Sequence, residues 1–165
     1  MKTNKLTRLA LLTGAALIIF VIEMQIPNPF PIPGIKLGLA NVITVYAVYH
    51  YRSWEAASIV VVRILLASLF SGNVTALLYS FSGSVLCLAG MLFVKRVIDE
   101  KYIWVSSVFG AVLHNIGQIA AAVLVFGTSV LVYLPFLLVS GCLAGAFTGI
   151  CAQLVIKRIG GGEKG

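Results

Sequence analysis

Arg63 sits inside the run SIVVVRILLASLF, and His114, Asn115 and Gln118 lie in HNIGQ, all among residues that prefer hydrocarbon to water. Glu23 closes an earlier apolar run, Lys36 and Asn41 fall in PGIKLGLAN, and Asn73 ends SGN. Arginine, lysine and histidine together suit an anionic or carbonyl-rich molecule, because charge-assisted hydrogen bonds to such groups are strong. Glu23 would balance one positive charge or accept a donor. On a helix, His114 and Gln118 are four positions apart and share a face, with Asn115 turned onto its edge. Bond-making chemistry is harder to find. The chain has no Gly-x-x-x-x-Gly-Lys phosphate loop. It also lacks the paired aspartate motifs that hold magnesium and diphosphate, Asp99 being its sole aspartate. Ser80, Ser82 and Ser84, with Gly83, have no base at a readable spacing and read as packing or cavity wall. These residues describe a binding site without catalytic residues, metal or cofactor.

The elements that must position them follow from composition. The 165 residues are 60% hydrophobic and 10% charged, with a mean hydropathy of +1.05. A soluble domain carries about 25% charged residues, so too few polar groups exist to cover a water-facing surface. Six apolar segments, approximately 7–25, 35–50, 54–70, 74–94, 103–126 and 129–156, are expected to cross a bilayer as helices. None shows the alternation of a barrel strand. The second and third are short and must borrow their flanks or tilt, and Pro135 should bend the last near its start. The expectation is an all-α membrane protein, a compact bundle of six transmembrane helices over 1–159, followed by a flexible tail at 160–165. The first run is longer than a signal core and has no small-residue cleavage site, so it reads as a retained helix.

Charge sets the orientation. The net charge is +7, and of the 12 Lys and Arg residues all but Lys36 and Arg63 fall at the ends that face the cytoplasm if both termini lie inside. Those are Lys2, Lys5, Arg8, Arg52, Lys95, Arg96, Lys101, Lys157, Arg158 and Lys164. Glu23, Lys36, Asn41, Asn73, His114, Asn115 and Gln118 then fall in the middle or outer half with Arg63. A charge at the bilayer centre costs about 2.5–3.5 kcal/mol on the lenient insertion scale, so Arg63 needs a polar environment, and Glu23 is its obvious partner. Two readings stand: a substrate cavity containing Arg63 and His114, or polar groups that only bond one another and hold the bundle together.

Pro27, Pro29, Pro31 and Pro33 form a stiff outer link, a lid or wall beside the cavity or merely a connector. Phe30 and Ile32 would fold over the mouth or rest on headgroups. Gly141, Gly145 and Gly149 recur every four residues, as do Ala10 and Gly14, and such stripes let helices approach closely, either within the chain or against a partner. Cys87, Cys142 and Cys151 have no metal or redox spacing and read as buried, inert thiols.

The motifs PFPIPGIKLGLAN, RILLASLFSGN, LLYSFSGS and HNIGQ together resemble a bacterial membrane family labelled "heptaprenyl diphosphate synthase component I" or "Gx transporter". That family looks like a branch of the substrate-binding S-components of energy-coupling-factor transporters. The resemblance implies a six-helix protein of the bacterial cell membrane that captures a small molecule from outside. It further implies partnership with a transmembrane coupling protein and two cytoplasmic ATPases. S-components typically meet the coupling protein through small residues of the first helix, and Ala10 and Gly14 match that pattern, glycine standing for the usual second alanine. Relatives are associated with isoprenoid, quinone or flavin-related molecules. The alternatives are a non-catalytic membrane subunit of prenyl diphosphate metabolism, with any such activity residing in another subunit, a stand-alone carrier, or a structural partner in a redox complex.

Overall fold

A computed structural model describes residues 3–25, 38–72 and 74–160. The chain is all-helical over these residues. The helices are α1 (Thr3–Gln25), α2 (Asn41–His50), α3 (Ser53–Ser71), α4 (Val74–Val94), α5 (Ile103–Phe126) and α6 (Leu134–Gly160). Short 3₁₀ segments, Glu100–Tyr102 and Thr128–Tyr133, lead into α5 and α6. Pro135 therefore lies in the first turn of α6, where its missing N–H costs no intrahelical bond. The expected link at 27–34 and the tail beyond Gly160 lie outside the described residues.

Among the described residues, five helices are long and apolar enough to cross a membrane, and α2 is not among them. The expected six-helix, all-α bundle is present, with α2 short of a full span over its described residues. Ten residues rise about 15 Å, half the roughly 30 Å hydrocarbon core. The cause is local. Gly38 has φ +75°, outside helical geometry, and the chain turns from it into α2 through Asn41 N–H donating to Gly38 O at 2.9 Å. At the other end Tyr51 is extended (φ −119°, ψ 172°).

What α2 lacks in length it makes up in burial. Val45, Ala47 and Val48 are wholly enclosed, and α2 packs on α1, α3, α4 and α6. Its cluster joins Leu9 of α1, Ile59 of α3, Met91 of α4 and Ala152 of α6. Lys95, at the end of α4, donates to Val48 O at 2.6 Å and sits 5.5 Å from the Tyr49 ring centroid. A cation at the carbonyl end of a helix satisfies an orphan acceptor and opposes the helix dipole. The described basic residues other than Arg63 thus gather at one end of the bundle, where Lys5 pairs with Glu55 and Gln153 donates to Lys101 O at 2.9 Å. Elsewhere the outer surface is greasy: Leu11, Ile18, Leu69, Phe93, Leu124 and Leu143 are all more than half exposed, as lipid-facing side chains should be.

The glycine stripe of α6 faces α5. A Cβ on Gly149 would lie 2.6 Å from Trp104 Cα, and one on Gly145 would lie 2.8 Å from Val108 Cα. On the other side of α5, a Cβ on Gly117 would lie 2.7 Å from Ser82 O, and Ser82 Oγ donates to Gly117 O at 2.8 Å. The α6 stripe serves internal contact, which decides between the two uses the sequence leaves open. Gly14 of α1, by contrast, has nothing within 4 Å of its added Cβ. Gly149→Ala should therefore destabilise the purified chain by about 1–3 kcal/mol through overpacking, while Gly14→Ala leaves it unchanged or slightly stabilised. Thermal unfolding in a mild detergent checks both, and equal midpoints would refute this packing.

Candidate functional site

The polar residues of the middle layer come from α1, α3, α4 and α5. Arg63, near the middle of α3, is only 8% exposed. Its guanidinium lies within electrostatic reach of Glu23 on α1, Cys87 on α4 and His114 on α5. The expected Arg63–Glu23 pairing is thus long-range. The one ion pair within 4.0 Å among the described residues is Lys5–Glu55. Glu23 instead accepts the Gly38 N–H, joining the outer end of α1 to the turn before α2. Asn41 belongs to the same corner, its Nδ2 lying 3.2 Å from where a Gly38 Cβ would stand.

Arg63 makes no hydrogen bond to any described residue, although a guanidinium offers five donors. His114, in its reach, and α4 carry polar atoms without partners among the described residues. His114 Nδ1, Tyr79 Oη and Ser84 Oγ are all buried and unbonded. Tyr79, Gly83 and Cys87 recur every four residues and share one face of α4, with Ser84 three positions before Cys87. His114 and Gln118 meet this face at Gly83. A Cβ there would lie 3.0 Å from His114 Cε1 and 2.9 Å from Gln118 Cγ. The absent side chain on Gly83 is what lets the imidazole sit against α4.

The sequence-derived residues therefore divide. Arg63, His114 and Glu23 share one electrostatic neighbourhood, with Gln118 beside His114 and Asn41 beside Gly38. Asn115 points the other way, donating to Leu137 O of α6 and lying against Gly141. Lys36 and Asn73 lie outside the described residues. Tyr79 went unnoticed in the sequence, where a tyrosine in an apolar run resembles core; its signal is the four-residue spacing to Gly83 and Cys87. The reading of three buried thiols needs correction. Cys87 is buried, but Cys142 is exposed on α6 and Cys151 is half-buried. Ala10 is exposed and Gly14 open, so that face of α1 is uncovered.

Such an arrangement can bind. Buried polar groups in native proteins are nearly always bonded, and an unbonded imidazole nitrogen beside an enclosed cation suits an oxygen-rich molecule. Taking a charge out of water is expensive, and replacing buried ionic groups with apolar side chains of similar volume is often neutral or stabilising by about 1–4 kcal/mol. Arg63→Met should accordingly keep or raise the unfolding midpoint in detergent. Asn115→Ala should lower stability by about 0.6–2 kcal/mol, the range for interhelical hydrogen bonds in membranes. The reverse order would make Arg63 the structural residue and Asn115 the dispensable one.

Residues 12–155 match the family described as "Heptaprenyl diphosphate synthase component I". No curated protein and no solved structure matches the chain. Because that match runs from α1 into α6 and takes in every helix that supplies the Arg63 layer, this multi-pass membrane protein belongs to the Heptaprenyl diphosphate synthase component I family.

Proposed function

We propose that the chain is a non-catalytic membrane subunit that binds a small anionic or carbonyl-bearing molecule through Arg63 and His114. One observation carries this reading: a guanidinium enclosed between helices without a hydrogen bond from the described residues, beside an imidazole nitrogen also lacking one. A guanidinium is a planar fork matched to carboxylate and phosphate, so such oxygens would relieve the cost of its burial. Glu23, in electrostatic reach, would balance the residual charge or take a donor from the ligand.

Two finer readings use the same site. In the first, the chain is the substrate-capture component of an ATP-driven uptake system of the energy-coupling-factor type, working with a transmembrane coupling protein and two cytoplasmic ATPases. Its support is the polar layer in a chain that carries no phosphate loop of its own. In the second, the chain is a membrane subunit serving prenyl diphosphate metabolism. The description of its family favours this reading, and Arg63 would then take an isoprenoid-linked oxygen or phosphate. The basic end, by the positive-inside bias, belongs in the cytoplasm of a bacterial cell, with both termini there.

Native mass spectrometry of the chain purified in mild detergent should show a co-purifying small molecule. That mass should fall at least tenfold in Arg63→Met while the protein stays folded. An unchanged ligand load would remove Arg63 from the site. Co-purification with a coupling protein and ATPases selects the uptake reading; co-purification with a prenyl synthase subunit selects the other. Reporter tags on either terminus should be accessible only from the cytoplasmic side.

A further inference from the structure

At the basic end of the bundle, the start of α1, the end of α2 and the start of α3 enclose a cleft of about 810 Å³. Pockets that hold small molecules run to roughly 300–1,000 Å³, so this one has room for more than a single phosphate. Arg8 of α1 and Arg52, just before α3, line it from different parts of the chain, and both are exposed. His50, Tyr51 and Trp54 add aromatic rings to the wall. His50 meets Tyr51 edge-on with ring centroids 5.3 Å apart, and Trp54 stands 70% exposed.

The charge of this cleft does not cancel. Glu55 is the one carboxylate among its lining residues, and it is already engaged: it pairs with Lys5 and accepts the Arg52 N–H at 3.1 Å. Arg8 and Arg52 have no carboxylate within 4.0 Å among the described residues. The start of α3 adds a partial positive charge, as a helix N-terminus does. The opposing carbonyl end of α2 is already countered, since Lys95 donates to Val48 O at 2.6 Å. Two guanidinium forks are therefore left over in one concave, positive mouth. Because α1 and α3 are long and apolar enough to span, that mouth lies where their apolar runs end, at the depth of lipid headgroups. Exposed Trp and Tyr are at home there, with one end of the ring apolar and the other wet.

We infer that this cleft binds the headgroup of a phospholipid with two phosphodiesters, a diphosphatidylglycerol, whose acyl chains stay in the surrounding bilayer. Each guanidinium takes one phosphate, a planar fork against paired oxygens. The two negative charges match the two arginines left without a carboxylate, and a headgroup with one phosphate would satisfy only one of them. Basic pockets between membrane helices are suited to such headgroups. A bilayer also holds the lipid at this depth at high local concentration, which a soluble anion of equal charge lacks. The exposed Trp54 ring favours the lipid over an acidic protein segment, because it has acyl chain to rest against. The site is separate from the Arg63 layer, none of whose residues lines it, so it stands whichever molecule that layer takes.

The test is native mass spectrometry of the full-length chain in neutral detergent, titrated with tetraoleoyl cardiolipin, dioleoyl phosphatidylglycerol or dioleoyl phosphatidylcholine. Cardiolipin should bind saturably, at least tenfold more tightly than phosphatidylglycerol and more tightly still than phosphatidylcholine. Arg8→Gln combined with Arg52→Gln should weaken cardiolipin at least tenfold. Lys157→Gln combined with Arg158→Gln removes the same charge from the end of α6, outside the cleft, and should stay within twofold of the parent. All four side chains are exposed, and should the cleft variant nonetheless fail to fold, the parent's preference for two phosphates over one still decides. Equal weakening by the two double variants reduces the effect to general surface charge and overturns the inference, as does phosphatidylglycerol binding as tightly as cardiolipin. Displacement of cardiolipin by equimolar inorganic diphosphate overturns it in favour of a soluble anion. A cleft variant that sheds a co-purifying protein while holding cardiolipin like the parent overturns it in favour of an acidic protein segment.

Discussion

A guanidinium cannot easily shed its charge, so a chain that places one midway along a membrane-crossing helix must surround it with something polar. Much of the middle layer follows from that constraint. Arg63 is enclosed by α1, α4 and α5 contributions, and Glu23, the carboxylate in its electrostatic reach, accepts the Gly38 amide N–H. A closed Arg–Glu bridge would have finished the account and left nothing for a ligand. Among the described residues, the charge is instead balanced at a distance and its donors are unspent. His114 adds an unbonded nitrogen beside it, and Tyr79 and Ser84 of α4 are buried and unbonded among the described residues.

The long helices were legible because their signal is physical and redundant. The limits of α4 and α5, 74–94 and 103–126, could be read directly, since apolar length, flanking charge and turn residues all agree there. The second helix could not. Its hydrophobic run extends back beyond Asn41, but the left-handed Gly38 sets where the helix begins, and hydropathy carries no information about a backbone angle. Pro135 is similar: the apolar run is continuous through it, while the chain uses it to open α6 after a 3₁₀ segment.

The site was legible in its membership more than in its pairing. Helical spacing correctly put His114 and Gln118 on one face, and both meet α4 at Gly83. Spacing also turned Asn115 aside, but only the packing of α6 shows that it turns toward the Leu137 carbonyl. The glycine rows illustrate the same limit. Gly141, Gly145 and Gly149 have the spacing of Ala10 and Gly14, yet the first row is pressed against α5 and the second is open. A stripe says that something approaches closely, and the neighbour's identity is a tertiary fact.

The tight backbone contacts at Gly83, Gly117, Gly145 and Gly149 weld α4, α5 and α6 into a slab, whereas α3 carries no comparable glycine contact with α4. Arg63 reaches toward that slab from α3; Cys87 and His114 belong to it. The polar layer thus straddles a seam between a stiff half and a looser one. A molecule gripping both banks would act as a rivet, and its arrival or departure would be felt as a change in how freely the halves shear.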